Sequence, residues 1–219
     1  MKFYFVKTPQ WISLLYSSQI WRFSPKRKNI YLTFDDGPTP EVTKWVLDTL
    51  HKYNAKATFF CIGNNIEKNP KIFTTILNKG HAIGNHTYNH EKGWNTKNDN
   101  YLKSILKTER IIKKFLIKNH QSSIVNHKLF RPPYGKLRRS QSKLLMANNY
   151  KLIMWSVLSA DFDSSVDAEK CLNNVIKNTK SGEIIVFHDS NKAFEKLQIV
   201  LPKVLAYFSN KGYGFQRIT

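Results

Sequence analysis

Residues 30–38 of this 219-residue chain read IYLTFDDGP, and this stretch decides the fold. Its first five residues have high strand propensity, and they are followed at once by the acidic pair Asp35 and Asp36 and by a Gly-Pro turn. A short apolar run that ends in a turn signal is typical of a buried strand. The stretch therefore predicts a core strand whose carboxyl end presents two carboxylates.

Outward from this stretch, short runs of β-branched and aromatic residues alternate with longer segments of helical period. This alternation predicts βα units, and hence a parallel sheet within a single α/β domain. The predicted strands span residues 30–34, 57–62, 81–84, 129–130, 152–157, 183–187 and 214–218. The predicted helices span residues 41–53, 65–79, 98–118, 138–149, 167–180 and 194–209. Pro202 predicts a kink in the last helix or a later start.

Polar residues suited to catalysis follow several predicted strands at the point where each strand ends. The carboxyl ends of parallel strands share one rim of a barrel, so residues far apart in sequence meet there in one pocket. These residues are Asp35, Asp36, His86, His90, Arg131, Asp161, His188 and Asp189. Their order predicts an acidic, histidine-bearing mouth on a basic scaffold.

Two of these histidines have the spacing of metal ligands. His86 and His90 are four residues apart, which in a helical turn places both imidazoles on one side. A carboxylate from Asp35 or Asp36 would complete a site of two histidines and one carboxylate, and the other carboxylate would serve as general base. The alternative is a surface loop of hydrogen-bonding histidines beside an acidic turn.

His188 and Arg131 each have a structural and a catalytic interpretation. His188 ends an apolar strand on the same rim as an orienting carboxylate, which favours a general acid over a core histidine. Arg131 precedes two prolines, so it either braces a rigid turn or holds a catalytic carboxylate in a bidentate ion pair. We include both residues in the predicted site.

Four motifs carry a family resemblance when they are taken in order. They are TFDDGP at 33–38, HTYNH at 86–90, RPPYG at 131–135 and IVFHD at 185–189. Together they resemble the polysaccharide deacetylase family, the NodB-homology domain of carbohydrate esterase family four. The resemblance implies a catalytic domain at residues 30–219 with a distorted, incomplete (β/α) barrel of about seven parallel strands. Residues 1–29 would be an N-terminal extension packed on that domain.

The resemblance also implies a metal centre. Asp36, His86 and His90 would hold one divalent ion, usually zinc, with cobalt, nickel, manganese and iron as alternatives. No organic cofactor would be needed.

Acid–base roles follow from the same resemblance. Asp35 would be the general base, steadied by Arg131, and His188 would be the general acid that protonates the leaving amine. The backbone N–H of Tyr134 would help to bind the oxyanion. Asp161 would orient His188.

The motif around Asp161 departs from the family pattern. The family usually has an aspartate-tryptophan pair here, whereas this chain has Asp161 followed by Phe162. Leu158 stands where a further aspartate often lies. These two changes affect the expected lining of the substrate groove.

The implied activity is hydrolysis of N-acetyl groups on the amino sugars of a glycan, such as peptidoglycan or chitin oligomers. One alternative is a deacetylase of small acetylated or formylated amines. A second is a non-haem iron oxygenase, which would use a similar set of two histidines and one carboxylate. Another is a non-catalytic, basic module that binds carbohydrate or nucleic acid. The sequence identifies neither the glycan nor the oligomeric state.

The chain has 35 basic and 15 acidic residues, a net charge of +20. The basic residues are scattered, and their denser runs lack the interleaved aromatic residues of a platform for single strands. We therefore expect no specific nucleic-acid partner and only weak contact with anionic surfaces.

The first 29 residues bear on localisation. Lys7 and Pro9 interrupt the early apolar run, so we expect no signal peptide. The longest weakly charged stretch, residues 8–21, is shorter than the ~20 apolar residues of a membrane span, so we expect no membrane-spanning helix. This predicts a cytoplasmic or peripheral membrane protein. An apolar stripe in this segment either touches a membrane surface or, as we favour, packs on its own domain. The stripe consists of Trp11, Leu14, Leu15 and Trp21.

Overall fold

A parallel sheet organises the part of the chain that the computed structural model describes, residues 4–118 and 128–219. Its strands are β1 (Asn29–Asp35), β2 (Ala57–Cys61), β3 (Ala82–Asn85), β4 (Lys128–Phe130), β5 (Tyr150–Leu152), β6 (Val157–Leu158), β7 (Ile184–His188) and β8 (Gly214–Phe215). The order across the sheet is β5-β4-β3-β2-β1-β7-β6, and β8 pairs with the amino end of β1. All these strand pairs are parallel, and the wall is open between β5 and β6. The predicted incomplete barrel is confirmed.

Helices connect the strands. In the described residues they are α1 (Gln10–Leu15), α2 (Val42–Lys52), α3 (Gly63–Lys68), α4 (Pro70–Asn78), α5 (Asn98–Lys118), α6 (Arg139–Ala147), α7 (Ala168–Asn178) and α8 (Asn191–Asn210). None of them is long and apolar enough to span a bilayer.

Strand β1 shows how the sequence separates the core from the site. Side chains alternate between the two faces of a strand. Leu32 and Phe34 lie in the main hydrophobic core with apolar residues of α2 and α8. Thr33 and Asp35 instead contact the guanidinium of Arg131, on the inner side of the barrel. One strand thus contributes both to the core and to the polar interior.

The predicted strand at 152–157 is wrong, because the chain forms β5 and β6 with a break between them. The peptide groups in the break bond elsewhere. The carbonyls of Ile153 and Met154 accept hydrogen bonds from Arg131, and the N–H of Met154 donates to the carbonyl of Ile20. The buried guanidinium and the N-terminal segment therefore take the hydrogen bonds that a continuous strand would use.

The predicted helix at 65–79 is also two helices, α3 and α4. Asn69 has φ −126° and ψ 54° and precedes Pro70, whose ring disfavours helical backbone in the residue before it. The predicted later start of the last helix is wrong as well, since α8 begins at Asn191 and includes Pro202.

The N-terminal segment spans the open edge of the barrel. Beside β6, the N–H of Leu158 donates to the carbonyl of Val6, and the N–H of Thr8 donates to the carbonyl of Ser156. Beside β5, the N–H of Ile20 donates to the carbonyl of Leu152. Residues before β1 therefore satisfy backbone groups on both edge strands, which would otherwise lack partners.

Candidate active site

The predicted rim residues meet at the carboxyl ends of the strands. Asp35 ends β1 and His188 ends β7, and these two residues are paired in register on adjacent strands. His86 follows β3, Arg131 follows β4, and Asp161 follows β6 after a short loop. Parallel pairing of the sheet thus brings five sequence segments to one mouth.

Asp36, His86 and His90 form a cluster of metal-ligand type. One potential ligand atom from each lies within 4.8 Å of the others. Oδ1 of Asp36 is 3.8 Å from Nε2 of His86 and 3.4 Å from Nε2 of His90, and it accepts no hydrogen bond from any residue the structure describes. A buried carboxylate oxygen that accepts no hydrogen bond is an unsatisfied acceptor, and a bound cation would satisfy it. The three side chains therefore fit a divalent cation.

His86 is held in the state that binds metal. Its Nδ1 lies 2.7 Å from the carbonyl oxygen of Arg131, which makes Nδ1 the protonated nitrogen and leaves Nε2 facing Asp36. Burial, followed by the neighbouring His90, lowers the pKa of His86 to about 3. The imidazole is therefore neutral at physiological pH, as metal coordination requires.

The predicted helical turn between the two histidines is wrong. Residues 86–90 form a loop in which Thr87 has φ 65° and His90 has φ 59°. This left-handed backbone, supported by a bond from the N–H of Thr87 to the side chain of Asn85, aims both rings at Asp36. The spacing of four residues still brings the rings together, with centroids 5.1 Å apart.

Arg131 is fully buried and holds Asp35 in place. Its Nη1 donates to Oδ1 of Asp35 and to the hydroxyl of Thr33, both at 2.7 Å. Its Nε and Nη2 donate to the carbonyls of Ile153 and Met154. The predicted bidentate pair is replaced by a single contact through Nη1, because the rest of the guanidinium is occupied by backbone oxygens.

His188 is paired with the buried carboxylate of Asp161. Oδ1 of Asp161 lies 2.7 Å from Nδ1 of His188, and Oδ2 accepts the backbone N–H of the same histidine at 2.7 Å. Burial of the ring opposes the charged form, but the charge and hydrogen bond of Asp161 outweigh it and raise the pKa of His188 to about 9. His188 is therefore protonated at neutral pH, with Nε2 left for a substrate.

Comparison with known proteins agrees with this geometry. Residues 23–153 match the family model described as polysaccharide deacetylase. This chain belongs to the polysaccharide deacetylase family. The family predicted from the four motifs is confirmed.

Two relatives from Bacillus cereus are named peptidoglycan-N-acetylglucosamine deacetylase. One is 36% identical over 86% of this chain and 66% of its own length. The other is 34% identical over 91% of this chain and 90% of its own length. The crystal structure of the peptidoglycan N-acetylglucosamine deacetylase Bc1960 has a TM-score of 0.83 and 33% identity, and the match covers 96% of this chain and 95% of that one.

Within this family member, Tyr134 extends the mouth with an aromatic surface. Its ring is half-exposed and lies 4.7 Å from the ring of His90 and 5.4 Å from that of Trp94, between centroids. The ammonium groups of Lys92 and Lys136 lie 5.8 Å from the Tyr134 ring and 5.7 Å from the Trp94 ring, respectively. An aromatic pair flanked by two cations thus borders the metal-ligand cluster.

The two departures from the family motif have different surroundings. The ring of Phe162 packs edge-on against His188, with centroids 5.0 Å apart, and it also meets Tyr4 at 5.9 Å. Leu158 is buried on β6. Phe162 therefore touches the acid–base pair, whereas Leu158 belongs to the packed interior.

A groove of about 570 Å³ leads away from Asp36 and His90. Most of the residues that line it have polar side chains. Among the residues that line it are Asn65, Lys68, Asn69, Ser190 and Asn191. The side chain of Asn65 also donates to the carbonyl of Asp36 at 2.7 Å, so it fixes the backbone that carries this carboxylate.

Sequence reasoning underestimated Asp189. Its position after a predicted strand placed it on the rim without a role, whereas in the structure its oxygens accept hydrogen bonds from the N–H of Gly37 at 3.1 Å and the hydroxyl of Thr43 at 2.5 Å. A Cβ at position 37 would lie 1.9 Å from Asp189 Oδ2, so only glycine fits there. Burial, together with the charge of Asp36, raises the pKa of Asp189 to about 8. Its place directly after His188 in the last motif was the available signal.

Proposed function

We propose that this chain is a metal-dependent N-deacetylase that hydrolyses acetamido groups on the amino sugars of a glycan. The observation that carries the proposal is the cluster of Asp36, His86 and His90 next to a carboxylate and a protonated histidine. A metal-ligand triad, a base and an acid within one mouth are the groups that amide hydrolysis requires.

A divalent cation held by this triad would polarise the acetamide carbonyl and lower the pKa of water. Asp35, fixed by Arg131, accepts a proton from the attacking water. His188 donates its Nε2 proton to the sugar nitrogen as the C–N bond breaks. Acetate and a free amine result, and Asp161 stabilises the positive charge of His188 before that transfer.

The oxyanion of the tetrahedral intermediate needs a donor within the chain. We assign this role to the backbone N–H of Tyr134, a residue that has φ 60° and whose ring lies 4.7 Å from that of His90. A left-handed residue in a rigid Pro-Pro-Tyr-Gly turn has a fixed amide direction, which is the condition for preorganised stabilisation of charge.

We assign zinc to the triad. Two imidazoles and one carboxylate with an open position form the ligand set of many catalytic zinc sites. Cobalt, nickel, manganese and iron accept the same donors. Reconstitution of metal-free protein with each ion, followed by measurement of both affinity and rate, identifies the ion that supports activity.

The aromatic and cationic side chains at the rim favour an anionic glycan as the substrate class. Tyr134 and Trp94 border the mouth with aromatic rings, a surface type on which sugar rings stack, and Lys92 and Lys136 add positive charge beside them. Peptidoglycan combines N-acetylated sugars with carboxylates. The relatives' names point to the same polymer.

Acetate release tests the proposal directly. Zinc-loaded protein is incubated with peptidoglycan fragments, with acetylated chitooligosaccharides and with small acetylated amines, and the products are identified by mass spectrometry. We expect deacetylated glycan with the wild type and at least about 100-fold slower release of acetate with Asp35→Asn. If only small amines react, the substrate class is wrong. If fully zinc-loaded protein binds the glycans without releasing acetate, the chain is a binding module.

A further inference from the structure

Large apolar side chains are exposed mainly in one short segment of the described chain. Five of the eight exposed large hydrophobic residues lie between residues 5 and 16. On α1, Trp11 is 60% exposed, and Leu14 and Leu15 are each 67% exposed. No residue of α1 is buried. The expected packing of this stripe on its own domain is therefore wrong for these three side chains.

The three side chains share one face of the helix. Trp11, Leu14 and Leu15 have i, i+3 and i+4 spacing, which aligns them on one side of a helical turn. An apolar helical face that includes a tryptophan and is followed by Tyr16 has the composition of elements that lie in the boundary between lipid headgroups and acyl chains.

The segment that carries α1 is attached at the amino end of the sheet. Before α1, Thr8 bonds to Ser156, which immediately precedes β6. After α1, the backbone of Arg22 forms an isolated antiparallel β-bridge with that of Glu183, which immediately precedes β7. Both flanks of helix α1 are thus attached beside the amino ends of β6 and β7.

The amino end of the sheet is also basic. Residues 1–34 contain no aspartate or glutamate. The loops that enter β1, β2, β7 and β8 carry the cations Lys26, Arg27, Lys28, Lys56, Lys180 and Lys211. Two acidic residues near this end, Glu183 and Asp48, are paired with Lys7 and Lys79.

His81 has three cations near it, Lys56, Lys79 and Arg217. It lies at the amino end of β3, where burial and the charges of Lys56, Lys79 and Arg217 lower its pKa to about 3. Cations collect at this end of the barrel, whereas Asp35, Asp36 and Asp161 collect at the other end.

From this juxtaposition we infer that the amino-end face, formed by α1 and the basic loops that enter the strands, docks on an anionic phospholipid bilayer. Trp11, Leu14 and Leu15 enter the headgroup boundary, and the surrounding lysines and arginines meet the lipid phosphates. A second copy of this chain fits the face poorly, because two basic faces would repel each other.

Vesicle sedimentation with the full chain tests this inference. We expect the protein to sediment with vesicles of equal parts phosphatidylglycerol and phosphatidylcholine, and not with phosphatidylcholine alone. High salt should weaken the binding, since the lipid attraction is partly electrostatic. Tryptophan emission should shift to shorter wavelength on the mixed vesicles as Trp11 leaves water.

Matched variants locate the contact. The triple variant Trp11→Ala, Leu14→Ser, Leu15→Ser should lose affinity by about tenfold or more, because it removes the apolar side chains that enter the bilayer. It should keep its fold, because it changes only exposed residues. Ile199→Ser alters another exposed apolar residue, 46% exposed on α8, and should bind like the wild type.

Three results would overturn the inference. The first is equal binding of the triple variant and the wild type to the mixed vesicles, and the second is no vesicle binding by the wild type. The third is a dimer in sedimentation equilibrium that the triple variant converts to a monomer, because the occupant would then be a second copy.

Discussion

His86 and His188 stand on opposite sides of β1 in the same mouth, and their surroundings drive their protonation in opposite directions. His86 follows β3, and burial lowers its pKa to about 3. His188 ends β7, and despite burial its pKa is raised to about 9. Burial is common to both rings, so it cannot explain the difference.

The partner of Nδ1 explains it. His86 bonds through Nδ1 to a neutral carbonyl, that of Arg131, and has a second imidazole beside it. His188 bonds through Nδ1 to the carboxylate of Asp161. This carboxylate is fully buried, so its negative charge is not solvated by water. A neutral partner leaves an imidazole that can bind metal, and an anionic partner gives an imidazolium that can release a proton.

Removing the metal ligand His86 should have the largest effect on activity. We expect His86→Ala to lose bound metal and to lower activity by at least about 100-fold, since ligand and polarising charge disappear together. Elemental analysis of the purified variant and acetate release measure the two losses. The exposed histidine His51, changed to alanine, serves as the control. Full metal occupancy in His86→Ala would show that the cluster is not the metal site.

Asp35→Asn should separate metal binding from turnover. The variant keeps Asp36, His86 and His90 and should retain the metal, while kcat falls by about 10²–10⁴-fold because the base is removed. The exposed carboxylate of Asp48 provides the matched control, Asp48→Asn. If Asp35→Asn kept near-native kcat, the proton acceptor would have to be another group.

Asp161→Asn should have a smaller effect on kcat and a distinct effect on its pH dependence. As the general acid, His188 must be protonated, so activity should fall as pH rises through its pKa of about 9. Loss of the carboxylate charge lowers that pKa, and the descending limb should therefore move to lower pH. The rate profile of kcat, measured for both proteins with the metal saturated, checks the shift. An unchanged limb would mean that a different acid protonates the leaving amine.

Much of the site was predictable because parallel strands end at one rim. The chain order of Asp35, His86, Arg131 and His188, each placed after an apolar run, was enough to bring them together. The strand that carries Asp35 also predicts Thr33 on the same face, since side chains alternate, although we did not draw that inference. The break at Pro70 could likewise be read from the sequence.

Other features depend on contacts that local patterns do not encode. The left-handed backbone at Thr87 and His90 follows from the loop's contacts with Asn85 and the mouth, not from a local preference. The break between β5 and β6 arises because Arg131, about 20 residues earlier, donates hydrogen bonds to the carbonyls of Ile153 and Met154. These carbonyls would otherwise pair with a neighbouring strand. Pairing of Val6 and Ile20 with opposite edges of the barrel is similarly non-local.

Phe162→Trp should have the smallest effect on kcat of the four variants. It tests whether the ring at position 162 acts on the general acid or on substrate binding. Phe162 packs edge-on against His188, so a tryptophan here would add aromatic surface beside the acid–base pair while still covering the imidazole. Binding that is shared by ground and transition states changes KM and leaves kcat alone. We expect KM or glycan preference to change by up to about tenfold and kcat to stay within about twofold. Phe162→Leu is the comparison, because it removes the ring that covers His188 and should lower kcat more than the tryptophan does. If Phe162→Trp instead moved the descending pH limb as far as Asp161→Asn does, the ring would act through His188 rather than on the sugar.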